Sequence, residues 1–366
     1  MTPPARLLTA AAIAAAVLTS IRPTPVGAAG QAQRPPAAQP SLVDQMRADA
    51  KNVMSAAAAA GRAGEALDTY DRFYTSVKKH DPSLLTLAAR AVLAEASQDS
   101  SSLARIPALE RLARAGDVRA RGQLDAAAGG PNTLMPSGIE ADCALARLAD
   151  GPAIDRLAQR LADETQRDKG LAIGCLTEAG ATRTTYAIVP YLQDDNPTNK
   201  LSAIQALAKL GARDQVAPLR AAFEAERHAG MRQTMAMALH ALGSNAGDAL
   251  LAEIAVSRVP DVRLTALEAY YAAKSPAWTG MAAQMLKSGS EGARLRAAVM
   301  LGPSNADATR ELTLAASSSN VATREVGARL IETVGSRDWA LLLKLLRDAS
   351  PLVRVYAAGA VLAGAK

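Results

Sequence analysis

Asp195 to Gly211 reads DNPTNKLSAIQALAKLG, and the spacing within it decides the fold. Asn196-Pro197 makes a turn, and a proline suits the first turn of a helix, where its missing N–H would have no partner anyway. From Lys200 onward, Ala203, Ile204, Leu207 and Leu210 recur at helical spacing and share one face. Gly211 follows at the point where a chain most easily leaves a helix through a left-handed residue.

The same plan returns along the chain. Lys169, Lys200, Arg232, Arg263, Arg294, Arg324 and Arg354 follow one another at intervals of 31, 32, 31, 31, 30 and 30 residues. Each of these basic markers opens an Ala- and Leu-rich stretch of helical period. Ala141 to Leu148 (ADCALARL) aligns with Ala203 to Leu210 and has Gly138 in the marker position. An apolar helix precedes each such stretch: Ile154–Leu161, Ile188–Leu192, Val216–Phe223, Leu250–Val256, Met281–Leu286, Leu312–Ala316 and Leu341–Leu346. A repeat of helix, turn and helix with this period predicts a solenoid, in which each unit buries its apolar face only against its neighbours.

Composition agrees. Hydrophobic residues make up 49% of the 366 and aromatics only 3%, so Ala, Leu and Val must fill the core. No useful stretch alternates with period two, and the class is all-α.

The pattern Asp/Asn-x-(Pro)-x-Val-Arg-x-x-Ala-x-x-x-Leu resembles the HEAT-repeat family, and the short period its phycobilisome-lyase-like branch. It is clearest at Pro260-Asp261-Val262-Arg263 and at Ser350-Pro351-Leu352-Val353-Arg354 with Ala357-Ala358. The resemblance covers Ser137 to Lys366 and implies a right-handed α-α superhelix. For function it implies a scaffold more than an enzyme, the family having few of the latter. Residues 41–130 are helical but off the period. Gly61, Ala66 and Tyr70 in GRAGEALDTYDRFY resemble a tetratricopeptide helix, although Phe73 stands where a small residue is wanted. A loop from Gly129 to Gly138 is expected between this region and the solenoid of 137–366.

The N-terminus reads as a secretory signal. Arg6 precedes an apolar run from Leu7 to Leu18, and Val26-Gly27-Ala28 is a small-residue cleavage motif. The mature chain is then expected to start at Ala29 and to be periplasmic or secreted, with no membrane span; a retained anchor is the competing expectation. Residues 29–40, rich in Pro, Gln and Ala, read as a disordered linker. Removing the first 28 residues lowers the formal charge from +6 to +4, too mild an excess to imply a polyanion partner.

The markers could form a basic ladder for nucleic acid. In the resembled family, however, this position pairs with an aspartate of the adjacent turn and so aligns successive repeats, and Asp195, Asp261 and Asp348 are available. Five residues after the markers from Lys200 onward stand Gln205, Met237, Glu268, Val299, Arg329 and Gly359, a row of no single charge and no stacking aromatics. Nucleic acid is therefore not expected.

His80, His228 and His240 share no turn of helix and no HExxH occurs, so neither a metal nor a cofactor is expected. No nucleophile motif, phosphate loop or dinucleotide fingerprint is present, and no catalytic residue is assigned. Cys143 and Cys175 lie at nearly equivalent points of adjacent repeats and could bridge in an oxidising compartment. Against this, a one-residue offset turns their side chains apart by about 100°.

Trp339 to Leu346 (WALLLKLL) is apolar all round, and Pro351 to Ala365 carries only Arg354 as a charge. A solenoid end needs a polar cap. A second copy or a partner is therefore expected to cover Val355, Tyr356 and Val361. The expected function is a non-catalytic scaffold that binds a protein or peptide through Gln205, Lys209, Met237, His240, Glu268 and Tyr271. Alternatives are an enzyme or chromophore-handling protein like the phycobilisome lyases, and a structural envelope protein.

Overall fold

The computed structural model describes residues 40–128, 136–163 and 169–365. The apolar N-terminal run, its cleavage motif and the linker up to residue 39 lie outside them. Contacts divide the chain into Met1–Ser41 and Leu42–Lys366, and the second unit is described below.

Every regular element among the described residues is helical. The array opens with α1 (Leu42–Ala60), α2 (Ala63–Val77), α3 (Pro82–Gln98), α4 (Arg105–Arg114) and α5 (Val118–Ala128). It continues with α6 (Pro136–Arg147), α7 (Gly151–Ala162), α8 (Lys169–Glu178), α9 (Thr185–Ile188, prolonged by a 3-10 stretch Val189–Gln193) and α10 (Pro197–Lys209). Then come α11 (Val216–Ala225), α12 (Ala229–Ala241), α13 (Asp248–Ala255), α14 (Pro260–Ala272), α15 (Trp278–Ser288) and α16 (Glu291–Leu301). The last helices are α17 (Ala306–Ala316), α18 (Val321–Val334), α19 (Trp339–Leu345) and α20 (Pro351–Gly364).

Side chains at the turns start these helices. Asn196, Asn305, Asn320, Ser290 and Ser350 each accept a hydrogen bond from a backbone N–H in the first turn of the following helix. Gly211 ends α10 at φ +65°, the left-handed cap its position predicts. Residues 129–135 of the expected loop lie outside the described residues. The helix α6 starts at Pro136 and takes in Ser137 and Gly138, because Pro is as much at home in a first helical turn as in a loop.

The second helices stack in a row, α4 on α6, then α8, α10, α12, α14, α16, α18 and α20. The row closes on itself, for α20 packs against α18 on one side and against α3 and α4 on the other. The apolar C-terminal repeat therefore has a covering, and it comes from the same chain. Val355 and Val361 are fully buried and Tyr356 is half-buried under the Arg111 guanidinium, 4.9 Å from the ring centroid. The expectation that a second copy or partner hides this end is thus corrected: it treats the two ends as separate, and the pattern of one repeat says nothing of where the array returns.

Gly359 makes the closure possible. The Arg111–Glu332 ion pair crosses α20 at this residue, with Arg111 Nε donating to Glu332 Oε1 at 2.8 Å. A Cβ on Gly359 would overlap that carboxylate and stand 2.7 Å from Arg111 Nε. Further ion pairs span the seam, Arg354 to Glu95 at 3.3 Å and Arg347 to both Asp71 at 2.5 Å and Asp68 at 3.3 Å.

One core runs from Ala50 to Val361, through the off-period N-terminal helices and the repeats alike. A second, small cluster of Leu267, Ala282, Met285, Ala293 and Ala297 lies in α14 to α16 and adjoins the main core only through half-buried Met281, Leu286 and Leu301.

Candidate functional site: a charged basin at the ends of the inner helices

Four of the markers act first as helix caps. Lys169 donates through Nζ to the carbonyls of Arg160 and Leu161 at 2.8 Å and to that of Asp163. Arg232 donates to the carbonyls of Phe223 and Glu226, Arg294 to Gly289, and Arg324 to Ser318. A cation at the end of a repeat's first helix satisfies carbonyls left without partners and meets the negative pole of the helix. Contact with the next turn is less regular. Lys200 pairs with Glu226 at 3.2 Å, Arg324 with Asp348 at 2.7 Å and Arg294 with Glu311 at 2.8 Å. Of the three expected aspartates only Asp348 receives a marker; Asp261 accepts from Ser290 Oγ instead. Arg263, half-buried beside Met281 and Met285, makes no hydrogen bond or ion pair with a described residue.

Nine residues after Gly138, Lys169, Lys200, Arg324 and Arg354 stand Arg147, Glu178, Lys209, Thr333 and Ala363. All five line one basin of about 740 Å³ where the last turns of the inner helices meet. Arg105 extends the series backwards, with Arg114 nine residues later in the same basin. Five cations (Arg111, Arg114, Arg147, Lys209, Arg329) face three carboxylates (Glu110, Glu178, Glu332).

These charges form a chain. Arg114 pairs with Glu110 Oε1 at 2.5 Å, and Glu110 Oε2 takes Arg147 at 2.7 Å. Arg147 reaches Glu178 Oε2 at 2.8 Å, and Glu178 Oε1 lies 3.5 Å from Arg329, which comes from α18 across the basin. Burial pulls the Arg147 guanidinium down, but Glu110 and Glu178 outweigh it and leave its pKa above the ordinary value.

Of the expected contact residues, only Lys209 lines this basin. Gln205 is exposed and Met237 half-buried against the core. Glu268 pairs with Arg296, and Tyr271 meets Trp278 edge-on at 5.0 Å. His240 holds Asp248 through Nδ1 at 2.8 Å and Tyr270 edge-on at 5.4 Å. The structure gathers them into no single site. An offset of nine reaches the basin from Gly138, Lys169, Lys200, Arg324 and Arg354, while of the offset-five row only Arg329 and Gly359 line it, so the last turns of these second helices supply most of the lining.

Cys143 and Cys175 form a disulfide between α6 and α8, with Cα atoms 5.1 Å apart. Ala144 and Ala172, both small and fully buried, leave room for the two helices to approach despite the one-residue offset. Beside it Asp142 is fully buried, with Arg156 on Oδ1 at 2.6 Å and Arg160 3.8 Å from Oδ2, which accepts no hydrogen bond from a described residue. Burial pushes its carboxyl above the usual range against the pull of Arg156.

His80 accepts or donates at Tyr70 Oη at 3.0 Å, and His228 caps α12 by accepting from Met231 N–H. No group of three or more His, Cys, Asp or Glu among the described residues could hold a metal ion, and no described helix is long and apolar enough to cross a membrane.

Residues 154–240 match the family model for HEAT repeats. The repeats there are HEAT repeats, and the architecture is an all-α solenoid. Among solved structures the chain is similar to human deoxyhypusine hydroxylase in complex with glycerol, at 19% identity and a TM-score of 0.37, over 69% of this chain and 99% of that one. It is also similar to an engineered protein at 15% identity and a TM-score of 0.34, over 88% of this chain and 95% of that one. No curated protein matches the sequence.

Proposed function

We propose that this chain is a non-catalytic, extracytoplasmic scaffold that holds a protein or peptide at the basin where its inner helices converge. The observation that carries this reading is Lys209. It is exposed, lines the basin and makes no ion pair or hydrogen bond with a described residue. The carboxylates there are each held by arginine, an arrangement that suits the basin to binding. The apolar, Arg-led N-terminus supports export, and the Cys143–Cys175 bridge suits an oxidising compartment.

A photocrosslinking residue placed at Lys209, and in a parallel variant at the exposed Arg220 of α11, tests the reading in the native envelope. Lys209 is expected to capture one defined protein that Arg220 does not. The same products from both positions, or none from either, would overturn it.

A further inference from the structure

We infer that the basin takes an acidic peptide segment, one whose several carboxylates sit on a single strand. The inference rests on the scaffold reading above and names the chemistry of the partner.

It follows from which groups in the basin still have bonding capacity. All four carboxylate oxygens of Glu110 and Glu178 are occupied by guanidinium groups, and Glu332 is held by both arms of Arg111. The acids have little left to offer a cationic ligand. The cations are differently placed. The ion chain ends in an arginine at both extremes, and each end residue uses a single nitrogen. Arg114 is 49% exposed and Arg329 62% exposed. Each keeps free N–H groups in the fork that matches a carboxylate. Lys209 adds three donors with no partner among the described residues.

These three groups come from α4, α10 and α18, three separate helices around the rim. One small anion meets such a rim at one point, whereas a strand bearing several carboxylates meets it at each. The volume, about 740 Å³, lies in the range of clefts that enclose a ligand. Thr177 and Thr333 donate their hydroxyls to the carbonyls of Ile173 and Arg329, and their oxygens can still accept from a peptide N–H.

Fluorescence anisotropy of labelled hexaglutamate against the full chain at low ionic strength tests this. We expect saturable one-to-one binding that weakens with salt, and no such binding by labelled hexalysine. The Lys209→Ala/Arg329→Ala variant, which removes only exposed side chains, should bind at least about tenfold more weakly with an unchanged circular dichroism spectrum. The Arg220→Ala/Arg310→Ala variant, which removes two cations of the outer helices, should bind as the parent does. Equal affinity in the basin variant, equal binding of hexalysine, or no saturable binding would overturn the inference. So would displacement by equimolar inorganic phosphate, which would mark a small-anion site. Any of these outcomes leaves the scaffold reading standing if Lys209 still crosslinks a defined protein.

Discussion

The seam where α20 meets α3, α4 and α18 and the stretch from α14 to α16 are built from the same repeat, yet they are held differently. At the seam, Leu84, Leu85, Leu93, Val353, Val355 and Val361 are buried in the main core, and Arg111 and Glu332 pair with side chains only 11% and 15% exposed. In α14 to α16 only Ala266, Ala269, Leu295 and Ala298 belong to the main core, the rest of the buried apolar residues form the small cluster around Leu267 and Met285, and the marker Arg263 has no partner among the described residues. The basin draws its lining from α4, α6, α8, α10, α18 and α20, and takes nothing from α12 to α16. Closure concentrates both stability and charge on one arc. The other arc, though it lies in the middle of the sequence, is the weaker part.

The largest predicted effect is at Gly359. A Gly359→Val substitution places its Cβ on the Arg111–Glu332 pair and should cost about 4 kcal/mol or more in denaturant unfolding. On the other arc, Gly292 meets nothing within 4 Å, so Gly292→Ala should be neutral or stabilise by about 0.5 kcal/mol. Equal losses at the two glycines would remove the distinction between the arcs.

Reducing the Cys143–Cys175 bridge, which spans 32 residues of sequence, should lower stability by about 4 kcal/mol on the loop-closure account. Thermal unfolding with and without reductant reads this directly. An unshifted transition would mean the bridge does not form.

Next, Arg111→Ala leaves Glu332 nearly buried without its cation and should cost about 3 kcal/mol. Arg263→Ala, the corresponding loss on the weak arc, should cost no more than about 0.5 kcal/mol. A double variant of Arg111 and Glu332 to a neutral pair would recover part of the first loss, because the desolvated charge goes with it.

The smallest effect is the pH dependence of the Arg324–Asp348 contact. Burial pushes the Asp348 carboxyl up, but Arg324 and the Ser350 N–H outweigh it and hold its pKa below the usual carboxylate range. Its stabilisation is then present above the ordinary carboxylate pKa and fades as pH falls through the lower folded-state value. The Asp348→Asn variant should be less stable at neutral pH and should lose less stability on acidification than the parent.

Much of this was legible in sequence. The 30- to 32-residue interval and the turn Asn196-Pro197 lead directly to α10 and its neighbours, because each repeat is made by local rules of capping and periodicity. Closure was not legible. Arg111 and Glu332 lie 221 residues apart, and nothing in a local pattern announces such a contact. The apolar faces of α3 and α20 each signal a need for cover, and only the path of the whole array shows that each covers the other. The basin lay between these cases. Lys209 emerged as a contact residue and Arg329 and Gly359 stood in the row five after the markers, but Gln205, Met237 and Glu268 of that row lie elsewhere, because which second helices reach the basin depends on the path of the whole array.

Hydrogen exchange read by mass spectrometry on the full chain tests closure itself. In an open solenoid the terminal helix frays first and exchanges fastest. Closure predicts the reverse: α20 and α3 among the slowest-exchanging helices, with α14 to α16 opening before them. If α20 exchanges as fast as or faster than α14 to α16 under native conditions, the ends of the array are not joined and the account is wrong.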